Sequence, residues 1–219
     1  MSPSPLHTSS PAHSNGTSPF VFVGERLWLD FVNSDDATHS RVESRSDALE
    51  SFEGFVSWLL AARVLDDERE QGMLRRAQQQ PTGSHAALHE ARRMRNILRA
   101  LAERGGAPAD RATQTAIAEI NRILGRSAGT RRVEPRSDGG FVRNFVTTGD
   151  VFAGLMIPVI ESAADALVTG ELERVRRCAD PRCARVFFDG SRNGKRRWCD
   201  MKTCGNRAKA ARHRKKVGS

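Results

Sequence analysis

Apolar residues recur at helical spacing along most of the first 170 positions, and turn-forming clusters separate the runs. Leu27, Trp28, Phe31 and Val32 fall on one face of a short helix that Asn33-Ser34-Asp35-Asp36 breaks. Asp47, with Glu50 three residues on, predicts an N-cap, and the stripe Leu49, Phe52, Val56, Leu59, Leu60 predicts a helix over 48–63. Asp66-Asp67-Glu68 puts acid at the start of the next helix, where the helix dipole favours it, and Pro81-Thr82-Gly83-Ser84 ends that helix. Leu88, Ala91, Met94, Leu98 and Leu101 predict a helix over 85–104, closed by Gly105-Gly106. Thr113, Ile117, Ile120, Ile123 and Leu124 line another, over 109–124. The period then changes: residues 131–134 and 141–146, separated by Pro, Ser, Asp and two Gly, read as a β-hairpin. Helical spacing returns over 150–168, with Pro158 kinking or restarting the helix.

Residues 1–19, rich in Ser, Pro and His, carry no periodic pattern and predict a disordered leader. The expected architecture is therefore a mainly α domain with a β-hairpin (α+β) over 20–169, ending at Thr169-Gly170, and a small second domain over 170–219. The second domain has too few apolar residues to build a core and needs a staple. No apolar run approaches the ~20 residues of a membrane span. Without a secretion signal at the N-terminus, a cytoplasmic protein is expected.

Charge sharpens the division. Residues 170–219 carry 16 Lys/Arg against 5 Asp/Glu, whereas residues 1–169 carry 19 against 21. The last quarter thus carries +11 and the remainder −2, so the whole net +9 comes from that quarter, which points to a polyanionic partner for it alone. The same quarter holds all four cysteines, as Cys178-x4-Cys183 and Cys199-x4-Cys204 separated by fifteen residues. Two short pairs flanking a loop suit four thiolates around a tetrahedral zinc, and four protein ligands close the shell, so a structural Zn2+ site is expected. Paired disulfides and an iron–sulfur cluster are the alternatives. Val186-Phe187-Phe188 reads as a short strand, Trp198 can pack beside the metal, and the second pair opens a helix on which Cys204, Ala208 and Ala211 share one face. Lys195, Arg196, Arg197, Lys202, Arg207, Lys209, Arg212 and Arg214 are the candidate nucleic-acid contacts. Arg207 has a second reading, an ion pair with Asp189, and Asn206 one as a backbone partner. Gly205 is expected to let the backbone pass close to the metal or a strand.

These residues resemble a known family. Cys204-Gly205-Asn206-Arg207 is the tetrapeptide that names the CGNR zinc finger, and Phe188-Asp189, Arg196-Arg197-Trp198-Cys199 and Met201 fall in the same run. Leu27-Trp28-Leu29-Asp30-Phe31-Val32-Asn33 looks like the LALDFVN signature of the accompanying N-terminal ABATE domain, and Met94-Arg95-Asn96-Ile97-Leu98 is similar to its LREAL-like helix. The resemblance implies a treble-clef-like finger and a bacterial, stress-responsive transcription regulator. Trp28 stands where the family has a small residue, and Asp200 where it has Ser.

The leading expectation is a regulator that binds double-stranded DNA through the finger, while the helical domain senses a small-molecule effector or forms a homodimer. Trp28 and Arg95 are the candidate ligand-pocket residues; ordinary core packing and a carboxylate pair are their plainer readings. His85 and His89 share a helix face but lack a third ligand. The alternatives are an RNA- or ribosome-associated zinc module and a protein-interaction adaptor. No catalytic signature such as GxSxG or HExxH occurs, so no enzyme is expected.

Overall fold

The computed structural model describes residues 20–35, 47–104, 110–126, 129–135 and 141–217. The leader, the Gly105-Gly106 helix stop and Asp36 lie outside the described residues. In chain order the elements are α1 (Leu27–Val32), α2 (Phe52–Ala61), α3 (Asp67–Gln79), α4 (Pro81–Arg104), α5 (Arg111–Arg126), β1 (Gly129–Pro135), β2 (Phe141–Thr147), α6 (Ile157–Val168), β3 (Val175–Arg177), β4 (Val186–Phe188) and α7 (Asn206–Val217). The fold is mainly helical, with two small antiparallel hairpins, β1–β2 and β3–β4.

α1 lies at the centre. All six of its residues are buried, where the sequence pattern predicts a single buried face. Packing explains the difference: α1 rests on α4 and α6 on one side and on β4 on the other. A helix covered on every side needs no polar face. Trp28 is 0% exposed and belongs to the main core with Phe31, Phe55 and Trp58.

Several boundaries differ from the sequence reading. Ser51, not Asp47, caps α2, its Oγ accepting the Gly54 N–H at 3.0 Å, so the helix starts at Phe52. Pro81 opens α4 instead of merely ending α3, because a proline in the first turn gives up no helical hydrogen bond. Pro158 likewise starts α6 and does not kink it. In α5, Ala116 faces inward while Ile117 is 40% exposed.

Asp47 has another task. Its carboxylate accepts two hydrogen bonds from the Arg95 guanidinium, at 2.5 and 2.6 Å, and the Leu49 N–H at 2.8 Å. Arg92 and Arg99 flank Arg95 on α4 at helical spacing. Arg92 donates to the carbonyls of Leu49 and Glu50, and Arg99 to the Val32 carbonyl and Asp35. Three arginines of one helix thus hold residues 32–35 and 47–50. Burial pushes the Asp47 carboxyl up, but the Arg95 hydrogen bond, the Leu49 N–H and the charges of Arg95 and Arg92 outweigh it and hold the group below its ordinary value. A depressed carboxyl stabilises the fold fully above its unfolded pKa, and that stability is lost as pH falls through the folded one. The urea midpoint of Asp47→Asn is therefore expected below wild type by about 2 kcal/mol at pH 7, the exposed third of Asp47 limiting the effect, with the gap closing below about pH 4. A gap that stayed constant down to pH 2 would rule out the ionised pair as its source.

Candidate metal centre and basic face

The first cysteine pair is carried by a hairpin. β3 and β4 pair with Val175 opposite Phe188 and Arg177 opposite Val186, and Cys178 and Cys183 lie in the connection at its tip. The Cys178 N–H continues the ladder to the Arg185 carbonyl at 2.9 Å, and the Cys183 N–H turns back onto the Asp180 carbonyl at 2.9 Å. The chain then runs through Cys199 into a π-type turn over Met201–Gly205, which carries Cys204 and leads into α7. Knuckle, hairpin and helix give the treble-clef-like finger.

All four cysteines are buried, unpaired by disulfides, and have their ligand atoms within 4.8 Å of one another. Cys199 Sγ lies 3.8 Å from both Cys183 Sγ and Cys204 Sγ. A disulfide needs sulfurs about 2.0 Å apart. A tetrahedral ion with ~2.3 Å metal–sulfur bonds spaces its sulfurs by about 3.8 Å. The cage therefore fits a single four-coordinate ion, and this is the only such cluster among the described residues. Acid–base chemistry agrees. Hydrogen bonds from Cys183 and Cys199 hold the Cys178 thiol far down, whereas neighbouring Cys178 and Cys183 push Cys199 up. Burial, with the charge of Cys183 and Cys178, pushes Cys204 up to about 12. Four thiolates this close cannot coexist without a cation among them.

The finger is not self-contained. Its metal-side core consists of the four cysteines, Phe187 and Val23, with Val21 and Trp198 packed against it. Val21 and Val23 come from the strap that precedes α1. Asp30, in the middle of α1, holds this strap by accepting the Val23 and Gly24 N–H groups at 2.8 and 2.7 Å. Along β4 the peptide groups alternate in direction, so those of Val186 and Phe188 face away from β3. Asn33 takes both groups of Val186: its Nδ2 donates to the carbonyl at 2.8 Å and its Oδ1 accepts the N–H at 3.0 Å. The Gly24 carbonyl accepts the Phe188 N–H at 2.9 Å. The free edge of the strand is thereby covered by the helical domain. Arg196 closes the other flank, paired with Glu25, donating to the carbonyls of Trp198 and Cys199, and lying 4.7 Å over the Phe187 ring.

The candidate contact residues divide into two groups. Lys195, Arg197, Lys202, Lys209, Arg212 and Arg214 are exposed, with Arg197 resting over the Trp198 ring at 5.1 Å. Arg196 and Arg207 are partly buried and engaged. Arg207 pairs with Asp180 at 2.9 Å, not with Asp189, which instead accepts from Ser191 and the Arg196 N–H. Burial pushes the Asp189 carboxyl up, but Ser191, the Arg196 N–H and the Arg174 charge hold it below its usual range. Asp200 accepts the N–H groups of Lys202 and Thr203, each at 3.1 Å, and so caps the turn that carries Cys204. Asn206 Nδ2 donates to the Lys202 carbonyl at 3.1 Å. A side chain at Gly205 would meet the end of the Met201 side chain, which is exposed and can swing away. In the helical domain Arg95 is committed to Asp47, and Trp28 is core, its Nε1 without a hydrogen-bond partner among the described residues. His85 and His89 are exposed.

Sequence reasoning missed the part that Gly24, Asp30 and Asn33 play at the joint. Asn33 reads locally as a turn former, and nothing in its neighbourhood points to a strand 153 residues away.

Comparison with known families agrees with this architecture. The ABATE family model, described as "Putative stress-induced transcription regulator", matches residues 25–171, about two thirds of the chain, and the CGNR zinc finger model matches residues 174–216. No curated protein matches the chain. The signature helix α1 and the finger, which meet across Asn33 and Val186, thus fall in the two matched segments, and the chain belongs to the ABATE family and carries a CGNR zinc finger after that domain.

Proposed function

We propose that the chain is a DNA-binding transcription regulator whose zinc-clamped finger presents α7 and the 195–202 loop to the phosphates of duplex DNA. The observation that carries this reading is the fate of the finger's acids. Asp180 is spent on Arg207, Asp189 on Ser191 and the Arg196 backbone, and Asp200 on capping. The six exposed candidate cations make no ion pair among the described residues, while Arg196 and Arg207 hold the scaffold together. α7 supports the same reading: from residue 212 to 214 every side chain is exposed, so the helix projects from the finger as a basic rod. A metal closed by four thiolates offers no open position for a substrate, which favours binding over catalysis. Four free thiols suit the reducing cytoplasm. No described helix is long and apolar enough to cross a membrane.

Titration of the zinc-loaded protein against duplex DNA over 50–300 mM salt is expected to give a log–log slope of about −5, as six neutralised phosphates require. Lys209→Ala or Arg212→Ala reduces the slope by about 1, with affinity falling similarly on unrelated sequences. A flat salt response, or binding to RNA alone, would overturn the assignment to duplex DNA.

A further inference from the structure

The outward side of α7 is not uniformly basic. Successive side chains stand about 100° apart around a helix, so Asn206, Ala210 and His213 fall within an arc of about 60°. From the middle of that ridge, Arg212 lies about 120° to one side and Arg214 about 80° to the other, with Lys209 between the ridge and Arg212. Exposure agrees with this wheel. Asn206, Lys209, Ala210, Arg212, His213 and Arg214 are exposed, whereas Arg207, Ala208 and Ala211, on the opposite side, are half-buried. Arg207 is tied down there by Asp180. No Asp or Glu follows Asp200 in the sequence, so α7 itself carries no acid. A face suited to phosphates alone would be cationic along its centre. Here the centre is an amide, a methyl and an imidazole, and the guanidinium groups stand on both flanks.

That layout fits the major groove of a duplex. A groove about 12 Å wide admits a helix, and the minor groove, at about 6 Å, does not. The flanking cations then meet the phosphate walls, and the ridge meets the base edges. Asn206 is already oriented: its Nδ2 donates one N–H to the Lys202 carbonyl at 3.1 Å. The other N–H and the Oδ1 remain, a donor and an acceptor that match N7 and N6 of adenine. Ala210 is short enough to let the helix sit deep, and its methyl suits that of thymine. A His213 ring N–H matches the N7 or O6 acceptors of guanine. From Asn206 to His213 the helix rises about 10.5 Å, the length of three base-pair steps. Resting on the duplex-DNA reading above, we propose that Asn206, Ala210 and His213 are the specificity-determining residues, set in the major groove with adenine opposite Asn206.

The test is selection of preferred sites from a randomised duplex pool by the zinc-loaded full chain. Wild type is expected to enrich a core of three or four base pairs containing an adenine. Asn206→Ala loses the preference at that adenine by about tenfold, and His213→Ala loses it at a different position, while affinity for unrelated duplex and the salt slope stay as in wild type. Replacing the selected adenine with 7-deaza-adenine, which alters only the major-groove edge, costs wild type affinity and costs Asn206→Ala little. Ala210→Leu lifts the ridge off the bases and flattens the whole core. All three positions are exposed, and unchanged zinc content checks that each variant is folded. Salt-sensitive binding with no enriched sequence overturns the inference and leaves the DNA reading standing. So does a core that all three variants share with wild type, or a uniform loss of affinity on every sequence. Absence of any duplex binding by wild type overturns both.

Discussion

Removing the metal, by chelation or by Cys199→Ala, is expected to unfold residues 174–217, leave the helices over 52–168 formed, and lower duplex affinity by more than a hundredfold. The size of the effect follows from what holds the finger. Its own apolar contribution to the metal-side core is Phe187 and Trp198, the rest being cysteine sulfur and two strap valines. Binding a structural ion contributes on the order of 10 kcal/mol in such modules, more than those few side chains can replace. The acid–base picture explains why the apo cage is not a half-stable substitute: Cys204 is pushed up to about 12 and Cys178 is held far down, so sulfurs packed for four thiolates carry mismatched protons. Amide hydrogen exchange is the direct measurement. Protection along β3 and β4 should vanish without metal while α2, α4 and α6 keep theirs. Equal duplex affinity with and without the ion would sink both the clamp and the proposed DNA reading.

The second large effect belongs to the joint. A methyl group at Gly24 would sit 2.7 Å from Leu29 Cβ, 2.8 Å from the Asp30 nitrogen and 2.9 Å from the Leu29 carbonyl carbon. Two of those three atoms are main chain of a buried helix and cannot swing aside, unlike the Met201 side chain facing Gly205. Gly24→Ala is expected to cost about 3 kcal/mol as an overpacked site. Asn33→Ala reaches a similar figure by another route, leaving the Val186 N–H and carbonyl unpaired at about 1–3 kcal/mol each. The informative readout is metal retention. Neither residue is among the four candidate ligands, yet both variants should release zinc to a chelator more readily, because the strap packs into the metal-side core. Unchanged zinc retention in both would show the finger to be autonomous.

Much of this architecture is legible in the sequence because it rests on local signals. The stripe of α4, the acidic start of α3 and the change of period at the β1–β2 hairpin are written in neighbouring residues, and the four cysteines announce a cage by spacing alone. Resemblance sharpened the finger further. Long-range pairing is what local pattern cannot show. Asp47 has the look of a cap, yet Arg95 takes its carboxylate from across the core, and Ser51 caps in its place. Arg207 found Asp180 instead of Asp189 because the knuckle presents the former and buries the latter under Ser191. β3 escaped the periodicity reading since three residues are too few to show alternation. The joint escaped it for the same reason as Asp47: Asn33 and Gly24 resemble ordinary turn residues until β4 arrives beside them.

Synthesis order gives the Asn33–Val186 contact a further consequence. Its partners are 153 residues apart, and the helical domain leaves the ribosome before the cysteines do. The strap and α1 are made before the finger but cannot complete their burial until it arrives, so a contact this distant in sequence closes late. Ion capture is then coupled to the synthesis of the finger. A chain released before β4 is made leaves the part of α1 that β4 covers exposed, a sticky surface that quality-control proteases are equipped to find.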